Sequence, residues 1–304
     1  MAISRTQLVK ELEPGLNALF GLEYKRYENQ HAEIYTTESS DRAFEEEVML
    51  SGFANAQVKA EGQGVSFDTA QETYTARYTH DTVALAFAIT EEAIEDNLYD
   101  RLASRYTKAL ARSMSNAKQV KAAKPLNDGL PSTDNFDSGD AVSLFSTNHA
   151  TVSGTAVKNT LTTQADLNET SLEQSLIDIA AMTDERGLRV AARAMKMIIP
   201  SANQFTAERL MKSQGRTGTA DNDINAVVSM GMVPQGYRVN NFLTDTDSWY
   251  LITDVPNGMK MFQRAALKTA MEGDFDTGNV RYKARERYSF GVSDFRGIFG
   301  VEGA

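Results

Sequence analysis

The sequence predicts an α+β fold on three observations. The apolar periodicities run in the order hairpin, long helix, polar loop, helices mixed with strands, and a final long strand, without a repeating strand–helix–strand unit. The final strand, 279–292, alternates: Val280, Tyr282, Ala284, Tyr288, Phe290 and Val292 share one parity, and Arg281, Lys283, Arg285 and Arg287 share the other. The long helix is charge-polarised. Thr90 is its N-cap, Glu91, Glu92, Glu95 and Asp96 load its start, and Lys108, Arg112, Lys118, Lys121 and Lys124 load its end.

The elements follow in order. Residues 1–40 read as an arm: Ser4 and Gln7 have capping-box spacing ahead of Leu8, Leu12, Leu16, Leu19 and Phe20, and Pro14 breaks the helix near Glu13. The arm either frays or reaches a neighbour. Residues 44–89 read as one long β-hairpin whose tip is Glu61-Gly62-Gln63-Gly64, the two glycines permitting positive φ. A hairpin of this length needs a surface to lie on. In the helix after Thr90, Ile94, Leu98, Leu102, Tyr106, Leu110 and Met114 recur every four residues, so the ridge drifts around the axis until Pro125 ends the helix. Residues 126–169 are loop. A helix opens at a Thr170–Glu173 capping box and ends by Gly187; Val190–Ile199 is strand-like; Pro200 opens a helix through Leu210; and Tyr237–Leu243 and Trp249–Thr253 are strands.

Bulk composition narrows the function. The chain has 304 residues and a net charge of -10, from 41 acidic against 31 basic side chains. An acidic body argues against a dedicated nucleic-acid binder, whose affinity rests on neutralising phosphates. With no cysteine, neither a disulfide framework nor a thiolate metal site is available. No apolar leader or run long enough to span a bilayer is present, so neither secretion by a standard signal nor a membrane role is expected, and the cytoplasm is the expected site of synthesis and use.

Catalytic patterns are scarce. His31, His80 and His149 are far apart and read as solvated or loop histidines. Glu61-Gly62-Gln63-Gly64 precedes no helix and so is no phosphate cradle. Asp245 and Asp247 resemble half of a metal loop, yet an Asx turn accounts for them. No catalytic, cofactor-binding or metal residue is therefore assigned, and no cofactor is expected. Arg281, Lys283, Arg285 and Arg287 form a row of like charges. It is a solvated face compensated in part by Glu286, a nucleic-acid contact, or a surface facing acidic groups of another copy, for which Glu45, Glu46 and Glu47 are the candidates.

Two stretches carry a family resemblance. YTHDTVALAFAITEEAIEDNLYDRLASRYTKALARSM (78–114) resembles the loop-to-spine-helix segment of tailed-bacteriophage major capsid proteins, particularly Mu-like major head subunits. LTDTDSWYL (243–251) with TGNVRYKARERYSFGVSDFRGIFG (277–300) resembles their C-terminal portion. The resemblance implies the Hong Kong 97-type fold: arm 1–40, extended loop 41–89, spine helix 90–124, peripheral domain 125–186 with 276–304, and axial domain 187–275. It implies a shell subunit, not an enzyme, forming hexamers and pentamers around double-stranded DNA that it holds non-specifically. Its location would be the virion, after assembly in the host cytoplasm. The implied partners are other copies, with Gly62 and Gly64 of the loop tip among the candidate inter-subunit residues, a portal, a decoration protein, and a separate scaffolding protein, since the chain passes from Met1 almost directly into the arm. The Lys–Asn crosslink of some relatives is not carried over: Lys59 is near the tip, but no partner matches. Competing expectations are a DNA-binding accessory protein using the basic row and a metal enzyme using Asp245, Asp247 and His149.

Overall fold

The computed structural model describes residues 5–90, 92, 99–133, 136, 138–215, 223–274 and 278–304, leaving out the side chains of 5–13 and 99–102. Helix α1 (Arg5–Arg26) leads through a 3₁₀ turn (Gln30–Glu33) to β1 (Thr36–Ser39), β2 (Phe44–Leu50), β3 (Glu72–Thr79) and β4 (Asp81–Ile89). Then come α2 (Tyr99–Asp128), α3 (Glu169–Ala181), β5 (Ala194–Ile199), α4 (Gln204–Lys212) and α5 (Ala226–Ser229). The chain continues through β6 (Tyr237–Val239), β7 (Trp249–Thr253), β8 (Met259–Gly273), β9 (Val280–Val292) and β10 (Ile298–Val301). Among the described residues these strands make a first sheet, β1-β8-β9-β4, a second, β10-β7-β5-β6, and the separate hairpin β2-β3.

The inner face of the first sheet packs on both long helices. Tyr282 and Ala284 of β9 meet Ala103, Leu110, Ala111 and Met114 of α2 and Leu16 and Phe20 of α1. The buried seam of α2 runs through Ala103, Thr107, Leu110, Ala111, Met114, Ser115, Lys118, Gln119, Ala122 and Leu126. That seam recurs once per turn, at several turns as adjacent pairs such as 110/111 and 114/115, the pattern of a broad helix face turned to a flat partner. The expected every-fourth ridge is only partly buried: Leu110 and Met114 lie on the seam, Tyr106 is exposed, and Ile94 and Leu98 lie outside the described residues. Small residues at Ala103, Thr107, Ala111, Ser115 and Ala122 let the sheet approach closely.

Both prolines expected to break helices lie inside them: α1 runs through Pro14, and α2 through Pro125 to Asp128. Tertiary donors serve carbonyls of the last turns of α2: Tyr35 Oη donates to Ala122 O at 2.6 Å and Tyr250 Oη to Leu126 O at 3.1 Å. Pro125 itself removes only the amide that would serve Lys121 O one turn back. The N-terminal helix also docks on its own subunit. Asn17 Oδ1 accepts from Thr269 at 2.7 Å and from Tyr282 at 2.8 Å.

The single hairpin expected over 44–89 is two structures. β2 pairs with β3, and β4 leaves to pair antiparallel with β9, in unbroken register from Asp81↔Tyr288 to Ile89↔Val280. The cores also divide the chain differently from the sequence. Leu172, Leu176 and Ile179 of α3 pack with Met197, Trp249, Leu251 and Phe299 on the second sheet, whereas β8, expected in the 187–275 unit, pairs with β9 in the first. β10 leaves the 276–304 unit to close the second sheet on β7. Long-range strand pairing overrides a division drawn from chain order. The capping box of α3 is Asn168 with Ser171, two residues before the expected Thr170–Glu173.

Glu286 faces inward. It is 1 % exposed, and its Oε2 lies 3.3 Å from Lys118 Nζ of α2, with Tyr24 Oη donating to it at 3.5 Å. Burial raises the Glu286 carboxyl, and Lys118 opposes the rise. Lys118→Met leaves this carboxylate buried without a cation, with an expected cost of about 3–5 kcal/mol, while the apolar double variant Lys118→Met/Glu286→Leu recovers most of it. Urea unfolding of both variants checks this; equal losses would show that packing, not charge, holds the seam.

Candidate assembly interface

The outer face of the first sheet carries the basic row, as strand alternation requires. Arg281, Lys283 and Arg285 are exposed and Arg287 is half-buried. On one flank β8 places Glu272 opposite Arg281, Ala270 opposite Lys283 and Lys268 opposite Arg285. On the other, β4 places Ala88, Ala86 and Ala84 opposite the same three cations. The row thus lies beside a trough floored by alanine. Asp274 pairs with Arg281. Among the described residues Lys268, Lys283, Arg285, Arg287 and Arg264 have no ion-pair partner, and the buried Nε atoms of Arg264 and Arg287 have no acceptor. Like charges opposite one another across strands destabilise a sheet, and a buried donor without an acceptor costs about 1–3 kcal/mol. Glu286 does not compensate this row, because it lies on the other face of the strand.

The three candidate acids have partners in their own subunit. Glu45 Oε1 accepts from Ser40 Oγ at 2.7 Å, Glu46 lies 3.6 Å from Arg77, and Glu47 lies 2.5 Å from Lys260. Lys260 also meets Glu38 at 3.1 Å, so one buried ammonium fastens β1 and the hairpin to β8. Burial pulls this ammonium down, and the hydrogen bonds to Glu47 and Glu38 outweigh it, leaving the group raised. Gly291 provides room for the Tyr78 ring, whose hydroxyl meets Ser293. Beyond β2 and β3 the hairpin continues as 51–71, with no strand and with Val58 and Phe67 almost wholly exposed. At its tip Gly62 has a φ of +81°, while Gly64 is outside the left-handed region.

All three histidines are buried, contrary to the solvated reading. His80 bridges Ser40 and Ser289, each at 2.9 Å, at the root of the hairpin. Burial lowers its pKa, with Arg287 adding to the effect. His149 Nδ1 lies 2.7 Å from Asp140 and Nε2 lies 3.1 Å from Asn159, and its ring stacks on Phe295 at 3.8 Å. Both ring nitrogens are engaged, and the structure does not bring His149 together with Asp245 and Asp247, whose turn is of the Asx kind: Asp247 N donates to Asp245 Oδ1 at 3.1 Å. Among the described residues no group of three or more His, Asp or Glu could hold a metal, and no helix is long and apolar enough to cross a membrane.

His31 accounts for a pH effect. Burial, helped by the nearby Lys118 charge and opposed by the Gln119 hydrogen bond, lowers it to about 4. Between its unfolded value near 6.5 and that folded value, the unfolded chain binds a proton that the folded chain refuses. Stability present above pH ~6.5 is therefore lost as pH falls toward ~4, by roughly 3 kcal/mol for this group. His31→Gln is expected to flatten that part of a stability–pH curve; an unchanged slope would remove His31 as its source.

A family model described as phage capsid protein matches residues 73–301. The chain belongs to the phage capsid protein family. The capsid protein also shares its fold with solved shells. The capsid of an empty GTA particle superposes with a TM-score of 0.58 at 12% identity, covering 90% of this chain and 89% of that one. The capsid of Myoviridae phage XM1 gives 0.54 at 11% identity and 89% of each chain. The virus-like particle from Pyrococcus furiosus gives 0.53 at 10% identity, covering 94% and 98%. No curated protein matches the sequence. The fold is the Hong Kong 97-type capsid fold, and the chain is a major capsid protein, a structural shell subunit.

Sequence reasoning found the basic row but missed its surroundings. Lys260, His80 and Arg264 carry no local signal, since each acts through a partner distant in sequence. The alanine floor did carry one: Ala84, Ala86 and Ala88 share a parity in Thr82–Ile89.

Proposed function

We propose that this capsid protein, a Mu-like head subunit, assembles with its own copies into hexamers and pentamers that close as an icosahedral head around double-stranded DNA. The basic face of the first sheet lies at the seam between copies. The unpaired cations of that face, on a chain of net charge -10, are the observation that carries this reading. A second copy is on average acidic, so it supplies the missing counter-charge. In this reading the hairpin β2-β3 with 51–71 is the extended loop, α2 is the spine helix, the first sheet is the peripheral platform and the second sheet is the axial domain. A portal, a separate scaffolding protein and a decoration protein complete the head, which forms in the host cytoplasm and persists in the virion. DNA inside is held without sequence preference, because the acidic body gives phosphates little to grip. Sedimentation of the full chain, expressed with and without its scaffolding partner, tests the reading. Megadalton particles or capsomers are expected; a monomer under every condition would sink it.

A further inference from the structure

We propose that the outer edge of β4 receives a strand from a second copy of the chain, and that the cations of β9 reach across the alanines of β4 to carboxylates on that strand. This rests on the shell-assembly reading above and names the contact that reading leaves unspecified.

The edge comes first. β4 ends the order β1-β8-β9-β4, so among the described residues no strand pairs with its far side. Its nine residues keep a bulge-free register with β9. They include no proline, lysine or arginine, and Asp81, Thr82, Ala84, Leu85, Ala86 and Ala88 are exposed. Natural sheets normally blunt such an edge with charge, proline, a bulge or a cover, since its unpaired amides and carbonyls template another strand. β4 has none of the first three along its length beyond the aspartate at its start. A partner is the remaining protection, and strand addition at a free edge is a recurring mode of recognition.

The neighbouring residues define what that partner must carry. An added strand would lie ~4.8 Å beyond β4 and twice that from β9. Larger side chains at 84, 86 and 88 would wall it off from the basic row. Alanine at all three leaves room for Lys283 and Arg285 to extend over β4 toward it, Arg281 being held by Asp274. Lys283 and Arg285 have no acid partner among the described residues, and at the hairpin root Arg264 and Arg287 hold donors with no acceptor. The arriving strand is thus acidic on its outer face, which fits a second copy of a chain with ten surplus negative charges.

Hydrogen exchange on the full protein tests this, comparing assembled shells with subunits dissociated from them in the same buffer. Half of the β4 amides already bond to β9; the others are the readout. Exchange within 81–89 is expected to slow at least tenfold in shells. Ala86→Lys places a like charge in the trough at an exposed site. It is expected to lower the unfolding midpoint of the free subunit only slightly, as a single exposed like-charge pair opposite Lys283 does, and to reduce shell yield at least tenfold, while Ala86→Ser assembles normally. Shells whose 81–89 amides exchange as fast as in free subunits would overturn the strand addition and leave the shell reading intact. So would normal shells from Ala86→Lys, or protection that arises only when DNA is packaged, which would assign the face to nucleic acid. Complete absence of particles would overturn both readings.

Discussion

Lys283→Glu/Arg285→Glu is expected to yield a folded, soluble subunit that forms no shells. Both side chains are exposed on the outer face of β9, away from the core, and neither has an intrachain acid partner among the described residues. Reversal removes the repulsion between Arg285 and Lys268, which face each other across β8 and β9, so the free subunit loses no stability and gains slightly. Assembly responds in the opposite sense. A single exposed ion pair contributes ~0–1 kcal/mol, but every copy repeats the contact, and reversal turns each attraction into a repulsion. The wild-type contact should also weaken with salt, because charges this exposed are screened beyond about 8 Å at physiological ionic strength. Sedimentation velocity and electron microscopy read the outcome. Wild-type particles from the double variant would remove the basic row from the seam.

Arg296→Ala is expected to be among the most damaging single substitutions. Arg296 is 2 % exposed. Its guanidinium meets Glu185 at 2.7 Å and Asp294 at 3.2 Å, donates to Thr183 O at 2.8 Å, and lies 4.4 Å from the centre of the Phe295 ring. Burial already raises the Asp294 carboxyl, with Arg296 opposing. Without the arginine, two carboxylates remain buried without a cation, a change worth about 3–5 kcal/mol. Typical domains have only about 5–15 kcal/mol in total. Arg296→Lys should rescue little, since an ammonium cannot reproduce a planar fork that serves two acids and a carbonyl. Urea midpoints measure both; a loss below ~1 kcal/mol for the alanine variant would show that this cluster relaxes without its centre.

The local parts of the fold were legible from sequence. The alternation of β9, the strand Trp249–Thr253 and the long helix all appear near their expected places because each is written in the spacing of its own residues. What was not legible depends on partners far along the chain. Nothing in Asp81–Ile89 says that it leaves the hairpin for a strand 200 residues later. α2 runs on through Pro125, and the carbonyls of Ala122 and Leu126 near it are served by Tyr35 and Tyr250, which no local rule contains. Glu286 sits on the apolar parity of β9, so its inward direction could have been read; its partner Lys118 could not. At the interface, the cations were visible, while their lack of partners and the free edge beside them required the sheet order.

The second sheet is closed by β10, whose Phe299 and Val301 are fully buried beside Phe295 in its core, while Ile298 is buried in the cluster of Tyr250 and Tyr288. These residues are synthesised after every element they pack against. While the chain is still growing, α3, β5 and β7 wait with an open core, and no nascent subunit can present a finished second sheet. Premature termination before residue 295 should therefore give a chain that quality-control proteases remove, not a near-native subunit able to enter a growing lattice and stall it. Synthesis through Val301 is therefore a condition for closing the second sheet.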